Sequence, residues 1–132
     1  MIPALLAAAT LSGAPCAQSN GLAAVRAFAT AWDRGDVASA TALWAREPAF
    51  QWLSGPGRYG SAAYERSTLI RYVRSRARLH ERLRIVTLRG GYDPRRNIFN
   101  FSGMLSRGGL VKPFKGALTC VEPRALLIVW SM

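Results

Sequence analysis

Arg66, His80 and Asn100 are the polar side chains of this sequence that could face a cavity, and Trp32, Trp52 and Trp130 are the candidate walls around them. A mostly aromatic hollow with few convergent polar groups suits a small amphipathic ligand, and a guanidinium there favours one carrying a carboxylate or another anion. These six residues are read as ligand-binding candidates, and none is assigned a catalytic role. Each also has a plainer reading. His80 could be a helix-end histidine, Arg66 could pair with Glu65 or reach solvent, the tryptophans could be core, and Asn100 could sit on the outer face of its strand. Arg71, Arg74, Arg78 and Arg82 fall on one side of a long helix, either as a solvated face or as a basic strip for an anionic surface.

Other chemistry finds little footing. Neither the dinucleotide fingerprint, the phosphate-binding P-loop nor the Gly-x-Ser-x-Gly elbow occurs. With one His and two Cys, a structural zinc site is not expected, and neither metal nor cofactor is assigned. Glu122 stands beside Pro123 in a turn, where a carboxylate is solvated. Arg34-Gly35-Asp36 matches a cell-adhesion tripeptide, but between two helices it reads as a stop and a cap. Arg89-Gly90-Gly91 occurs once, and its glycines suit a hairpin turn.

The elements that must position these side chains fit one domain of 132 residues, half of them hydrophobic. The net charge of +11 comes from 16 Arg and 2 Lys against 7 acids. Such a chain attracts anions, although a high-GC bacterial genome also raises Arg over Lys; a nucleic-acid role is not favoured. Residues 2–11 form an apolar run too short to span a bilayer, followed by small residues up to Ala17. The run resembles a secretory signal without its positive start, or a lipoprotein-type leader with Cys16 as the lipid carrier. A cytoplasmic protein with an apolar tail is the third possibility, and the folded domain is expected from residue 21 to 132. Membrane contact is expected only through this leader or anchor. A disulfide between Cys16 and Cys120 would need the leader folded back, so Cys120 is read as a free, buried hydrophobe.

Leu22, Val25, Phe28 and Trp32 mark a first helix, which Gly35 stops. Asp36 caps a second helix carrying Val37, Ala40 and Trp44, and Pro48 ends it. A strand with Phe50 and Trp52 follows, then a loop at Ser54-Gly55-Pro56-Gly57. A third helix is predicted from Ser61 to Glu81, with Leu69, Val73, Ala77 and His80 in its apolar sector. Leu83, Ile85 and Thr87 alternate with Arg84, Val86 and Leu88, and Gly90 to Pro94 is read as a turn. In the next strand Phe99, Phe101 and Leu105 share one face; Asn100, Ser102 and Ser106 share the other. Two more strands, Lys115 to Val121 and Ala125 to Ser131, close the chain. Helices first and antiparallel strands last predict an α+β fold, three helices on a strongly curved sheet.

This order resembles the nuclear transport factor 2-like, or SnoaL-like, superfamily over about residues 21–131. Phe28-x-x-x-Trp32-Asp33-Arg34-Gly35-Asp36 carries most of the likeness, with Lys115-Gly116-Ala117-Leu118 and Ile128-Val129-Trp130-Ser131-Met132 resembling the closing hairpin. The resemblance implies a conical cavity between long helix and sheet, a homodimer through the outer sheet face, and functions from isomerases and cyclases to non-catalytic binding domains. An isomerase of the ketosteroid type needs a carboxylate base and a Tyr with a protonated acid. Here Phe50-Gln51-Trp52 offers no carboxylate and the first helix no Tyr. A dehydratase-like site would want paired His and Tyr, and only His80 exists. A non-catalytic pocket domain for a small hydrophobic or anionic ligand is therefore the leading expectation. The alternatives are an isomerase, dehydratase or cyclase of the same superfamily, or a dimeric interaction module with a basic helix face.

Overall fold

The computed structural model describes residues 16–46, 52–53, 65–121 and 124–132, with only the backbone for 52, 53 and 121. The expected Phe50 strand residue, the Ser54 to Gly57 loop, the start of the third helix and Glu122 lie outside the described residues. Three helices, α1 (Gln18–Asp33), α2 (Val37–Ala42) and α3 (Arg66–Arg78), pack on a sheet of β1 (Trp52–Leu53), β2 (Leu83–Asp93), β3 (Ile98–Arg107), β4 (Leu110–Val121) and β5 (Arg124–Ser131). The sheet order is β1-β5-β4-β3-β2, antiparallel except for the short parallel pair β1 and β5. This is the α+β arrangement predicted from the sequence.

The first helical hairpin forms for local reasons. Gly35, at φ 70°, takes the left-handed conformation that side chains resist. It lets the Gly35 amide donate to Trp32 O at 2.9 Å and the Asp36 amide to Ala31 O at 2.9 Å, which closes α1 in a Schellman motif. Asp36 then caps α2, its carboxylate accepting from the Ser39 amide at 3.0 Å. The Ser39 hydroxyl, and then this amide, hold the Asp36 carboxyl below its ordinary pKa. That contribution to stability is present above the ordinary carboxylate pKa and disappears as pH falls through the lowered one.

The inner sheet face is built on a size complement of rings and glycines. Across the ladders Gly90 pairs with Phe101, Phe101 with Gly116, Gly103 with Phe114 and Gly116 with Trp130. A Cβ on Gly116 would stand 2.2 Å from Val129 O and 2.4 Å from the Phe101 ring. One on Gly90 would meet the Phe99 ring at 2.6 Å, and one on Gly21 of α1 would meet the same ring at 2.8 Å. Glycine at these places lets helix and strands approach the aromatic side chains directly. Gly90 and Gly91, paired with Phe101 and Asn100, are strand residues, and the expected turn there is corrected. The chain reverses at 94–97, where the Asp93 carboxylate accepts from the Arg95 amide at 2.9 Å and Asn97 has φ 54°.

Two further expectations are corrected. A bulge between Ile85 and Thr87 inserts one extra residue, so Leu88 rather than Thr87 continues the inward face of Leu83 and Ile85. Cys16 and Cys120, read as unpaired, form a disulfide with Cα atoms 5.5 Å apart across 104 residues of sequence. The reason is that α1 starts at Gln18, so Cys16 is not part of a loose tail but is buried against the core. A sulfur in this bond is not available to carry a lipid.

Candidate functional site

Between the helices and the sheet, where the resemblance implies a conical cavity, the described side chains form a packed aromatic cluster. Phe28 of α1 is at its centre, edge-on to Trp32 at 5.5 Å, Trp44 at 5.6 Å and Trp130 at 4.8 Å between ring centroids. Tyr72 of α3 continues the cluster from Trp32, and Phe114 and Phe101 continue it from Trp130. Such edge contacts add to the burial of large rings. The Tyr72 hydroxyl and the Trp130 indole N–H are fully buried here without a hydrogen-bond partner among the described residues. Removing an unsatisfied buried hydroxyl relieves a desolvation cost. Tyr72→Phe is thus expected to raise the unfolding free energy by about 1 kcal/mol in denaturant titrations; a fall would mean the hydroxyl is used.

Of the candidate residues whose side chains are described, Trp32 and Trp130 meet in the cluster around Phe28, whereas Arg66, His80 and Asn100 do not converge with them on one cavity. Trp32 donates its indole N–H to Glu81 Oε1 at 3.2 Å. Arg66 donates to Thr41 O at 2.6 Å and Trp44 O at 3.2 Å, tying α3 to the carbonyl end of α2. His80 was expected on the apolar sector of the long helix. It is exposed, because α3 ends at Arg78 and the chain turns with His80 at φ 51°, out of the helical period. Trp130 lies in the closed cluster, the Trp52 side chain is outside the described residues, and Asn100 faces away on the outer side of the sheet. Beneath the cluster Glu81 joins Arg107 at 2.7 Å and Arg76 at 3.5 Å, and Arg76 lies over the Tyr72 ring. This constellation holds α1, α3 and β3 together, and both Glu81 oxygens are engaged.

Asn100 opens onto the second candidate. On the outer sheet face a hollow of about 850 Å³ is lined by Asn100, Ser102, Arg89, Arg96 and Lys115 over a floor that includes Ile98, Ala117, Ile128 and Val129. Register explains the assembly: Arg89 is opposite Ser102, Ser102 opposite Lys115, and Asn100 opposite Ala117, all on the outer face. The Arg89 Nε–H donates to Ser102 Oγ at 3.4 Å. Among the described residues lining the hollow there is no carboxylate. Arg96 reaches the nearby Asp93 at 3.9 Å, a largely solvated contact. Sequence reading missed Arg89, Arg96, Ser102 and Lys115, whose alignment becomes visible only when both hairpin turns are placed. The described residues contain no group of His, Cys, Asp and Glu able to hold a metal.

A candidate dehydratase of the nuclear transport factor 2-like family from Streptomyces avermitilis superposes with a TM-score of 0.74 at 11% identity, over 86% of this chain and 92% of that one. A nuclear transport factor 2-like protein of unknown function from Shewanella oneidensis gives 0.65 at 10% identity, over 86% and 95%. A ketosteroid isomerase-like protein from Erwinia carotovora atroseptica gives 0.58 at 18% identity, over 86% and 92%. The chain has the nuclear transport factor 2-like fold. No protein-family model matches it, and no curated protein matches it.

Proposed function

We propose that this protein is a non-catalytic binding domain for a small anionic amphipath, held on the outer face of the sheet. The observation that supports this reading is three cations, Arg89, Arg96 and Lys115, around an apolar floor with no described carboxylate. An anionic head would pair with the cations and hydrogen-bond to Asn100 and Ser102, while an acyl or ring body covers Ile98, Ile128 and Val129. Two of the comparison proteins carry enzyme-like names, but Glu81, the carboxylate described next to the cup's Tyr72 and Trp32, is engaged by Trp32, Arg76 and Arg107, which disfavours it as a base. The Cys16–Cys120 bond favours an oxidising compartment, such as a secreted or cell-envelope location.

A second reading concerns the same face. Ala45, Ala117 and Ile128 are already buried within the single chain, and the half-buried Ile98, Leu126 and Val129 around them are the apolar surface that a homodimer through the sheet would cover. A two-fold contact would bring the cations of two copies together, so it would need an anion between them. Calorimetric titration with dodecanoate separates the readings. The parent protein is expected to bind it and not dodecanol, and Arg89→Glu with Lys115→Glu should weaken binding by about tenfold or more. Equal binding of acid and alcohol, or an unaffected variant, would refute the anion site. Sedimentation with and without dodecanoate reads the dimer.

A further inference from the structure

The large hydrophobic side chains exposed among the described residues gather at one end of the molecule, far from the β2–β3 turn. They are Leu79 at 66% exposure, Val86 at 54%, Leu110 at 62% and Val111 at 56%. Leu79 caps α3, Val86 is the bulged residue near the start of β2, and Leu110 and Val111 follow the Gly108-Gly109 tip of the β3–β4 hairpin. The two tip glycines have φ 56° and 81°, the left-handed pair of a tight two-residue hairpin. Leu79, Arg82, Arg84 and the two tip glycines line one hollow, and Arg84, Ser106 and Val111 stand in line across three strands.

The same end is strongly cationic. Arg78, Arg82 and Arg84 are exposed, and Lys112 is half-buried beside the tip. Of the described carboxylates at this end, Glu81 is paired with Arg107 and Arg76; Asp33, which accepts from the Leu83 amide at 3.1 Å, keeps its charge but is outnumbered by Arg78, Arg82, Arg84 and Lys112.

We infer that this end seats on an anionic lipid bilayer, with Leu110 and Val111 entering the headgroup region and Arg78, Arg82 and Arg84 holding lipid phosphates. Aliphatic tips beside cations suit an interface with an apolar layer under a negative surface. A single-stranded nucleic acid would satisfy the cations but give Leu and Val nothing to stack on. A second copy through this end would set its cations against their equivalents. No described helix is long and apolar enough to cross a membrane, and the inferred contact is a peripheral one. This contact differs from the expectation that membrane would be met only through the N-terminal leader, and it uses a different surface from the anion hollow.

Co-sedimentation of the full chain with vesicles of phosphatidylglycerol and phosphatidylcholine in about a 1:3 ratio tests the inference. The parent should bind these vesicles at least about tenfold more tightly than phosphatidylcholine alone, and more weakly as salt rises. Leu110→Ser with Val111→Ser, and separately Arg82→Glu with Arg84→Glu, should each lower binding by about tenfold or more. Thermal melts confirm folding; these are exposed positions, and Leu110→Ala with Val111→Ala serves if the serine pair does not fold. Absence of binding by the parent, parent-like binding by either variant pair, or preference for a single-stranded oligonucleotide overturns it. The serine pair should leave the dodecanoate titration unchanged, so the two readings fail separately.

Discussion

Cys120→Ala, or reduction of the parent, is expected to lower the unfolding free energy by about 4–5 kcal/mol, because the bond closes a loop of 104 residues. In the chain-entropy account a cross-link of that span removes much of the freedom of the unfolded chain. The bond also fixes the entry to α1, where Ala17 in the N-cap position makes no side-chain hydrogen bond. Loosening this end exposes Cys16 and frees the helix whose Val25, Phe28 and Trp32 organise the core. Thermal unfolding with and without a reductant, with Cys16→Ala/Cys120→Ala as the matched control, measures the effect. A shift common to parent and double variant would show that the reductant acts elsewhere.

Glu81→Gln is the second large loss, expected at about 3–5 kcal/mol. Glu81 and Arg107 have side chains only 12% and 7% exposed, and their 2.7 Å contact is what makes a buried guanidinium tolerable. Removing the carboxylate charge leaves Arg107 with the Met132 sulfur at 3.7 Å as its other described side-chain partner. The same change weakens the hold on Trp32 and Arg76, so three elements loosen together. Replacing both partners, Glu81→Leu with Arg107→Met, should recover only part of the stability: an apolar pair avoids the desolvation of two charges, but the Trp32 indole N–H and Arg76 still lose Glu81 as a partner. Urea titrations of the single and double variants read both outcomes. A Glu81→Gln protein as stable as the parent would mean the cluster is already solvated.

The helical hairpin and the faces of β3 were legible because their signals are local. Gly35 and Asp36 act on the turns they adjoin, and Phe99, Phe101 and Leu105 keep their period without interruption. What local pattern could not carry was register. Gly90 and Gly91 carry the composition of a turn, yet both pair within the ladder, and the reason for a glycine at Gly90 lies across space in the Phe99 ring, while a Cβ on Gly91 would meet nothing. The bulge at Val86 leaves no mark in the alternation, and it moves Leu88 to the inner face. His80 fits the helical period on paper, but α3 stops before it. The disulfide joins distant parts of the chain, and only the packing of α1 across the sheet brings its cysteines together. The outer hollow was hidden for the same reason as the bulge: Arg89, Ser102 and Lys115 come from three strands and meet through pairing, not spacing.

The most direct measurement of the central claim is an amide chemical-shift titration of the oxidised protein with dodecanoate below its micelle concentration. The anion-hollow account predicts saturable shifts centred on Ile98, Asn100, Ser102, Lys115, Ala117 and Val129, with dodecanol giving none at the same concentration. Shifts centred instead on Tyr72 and Trp130 in the cup, or the absence of any saturable change, would contradict it.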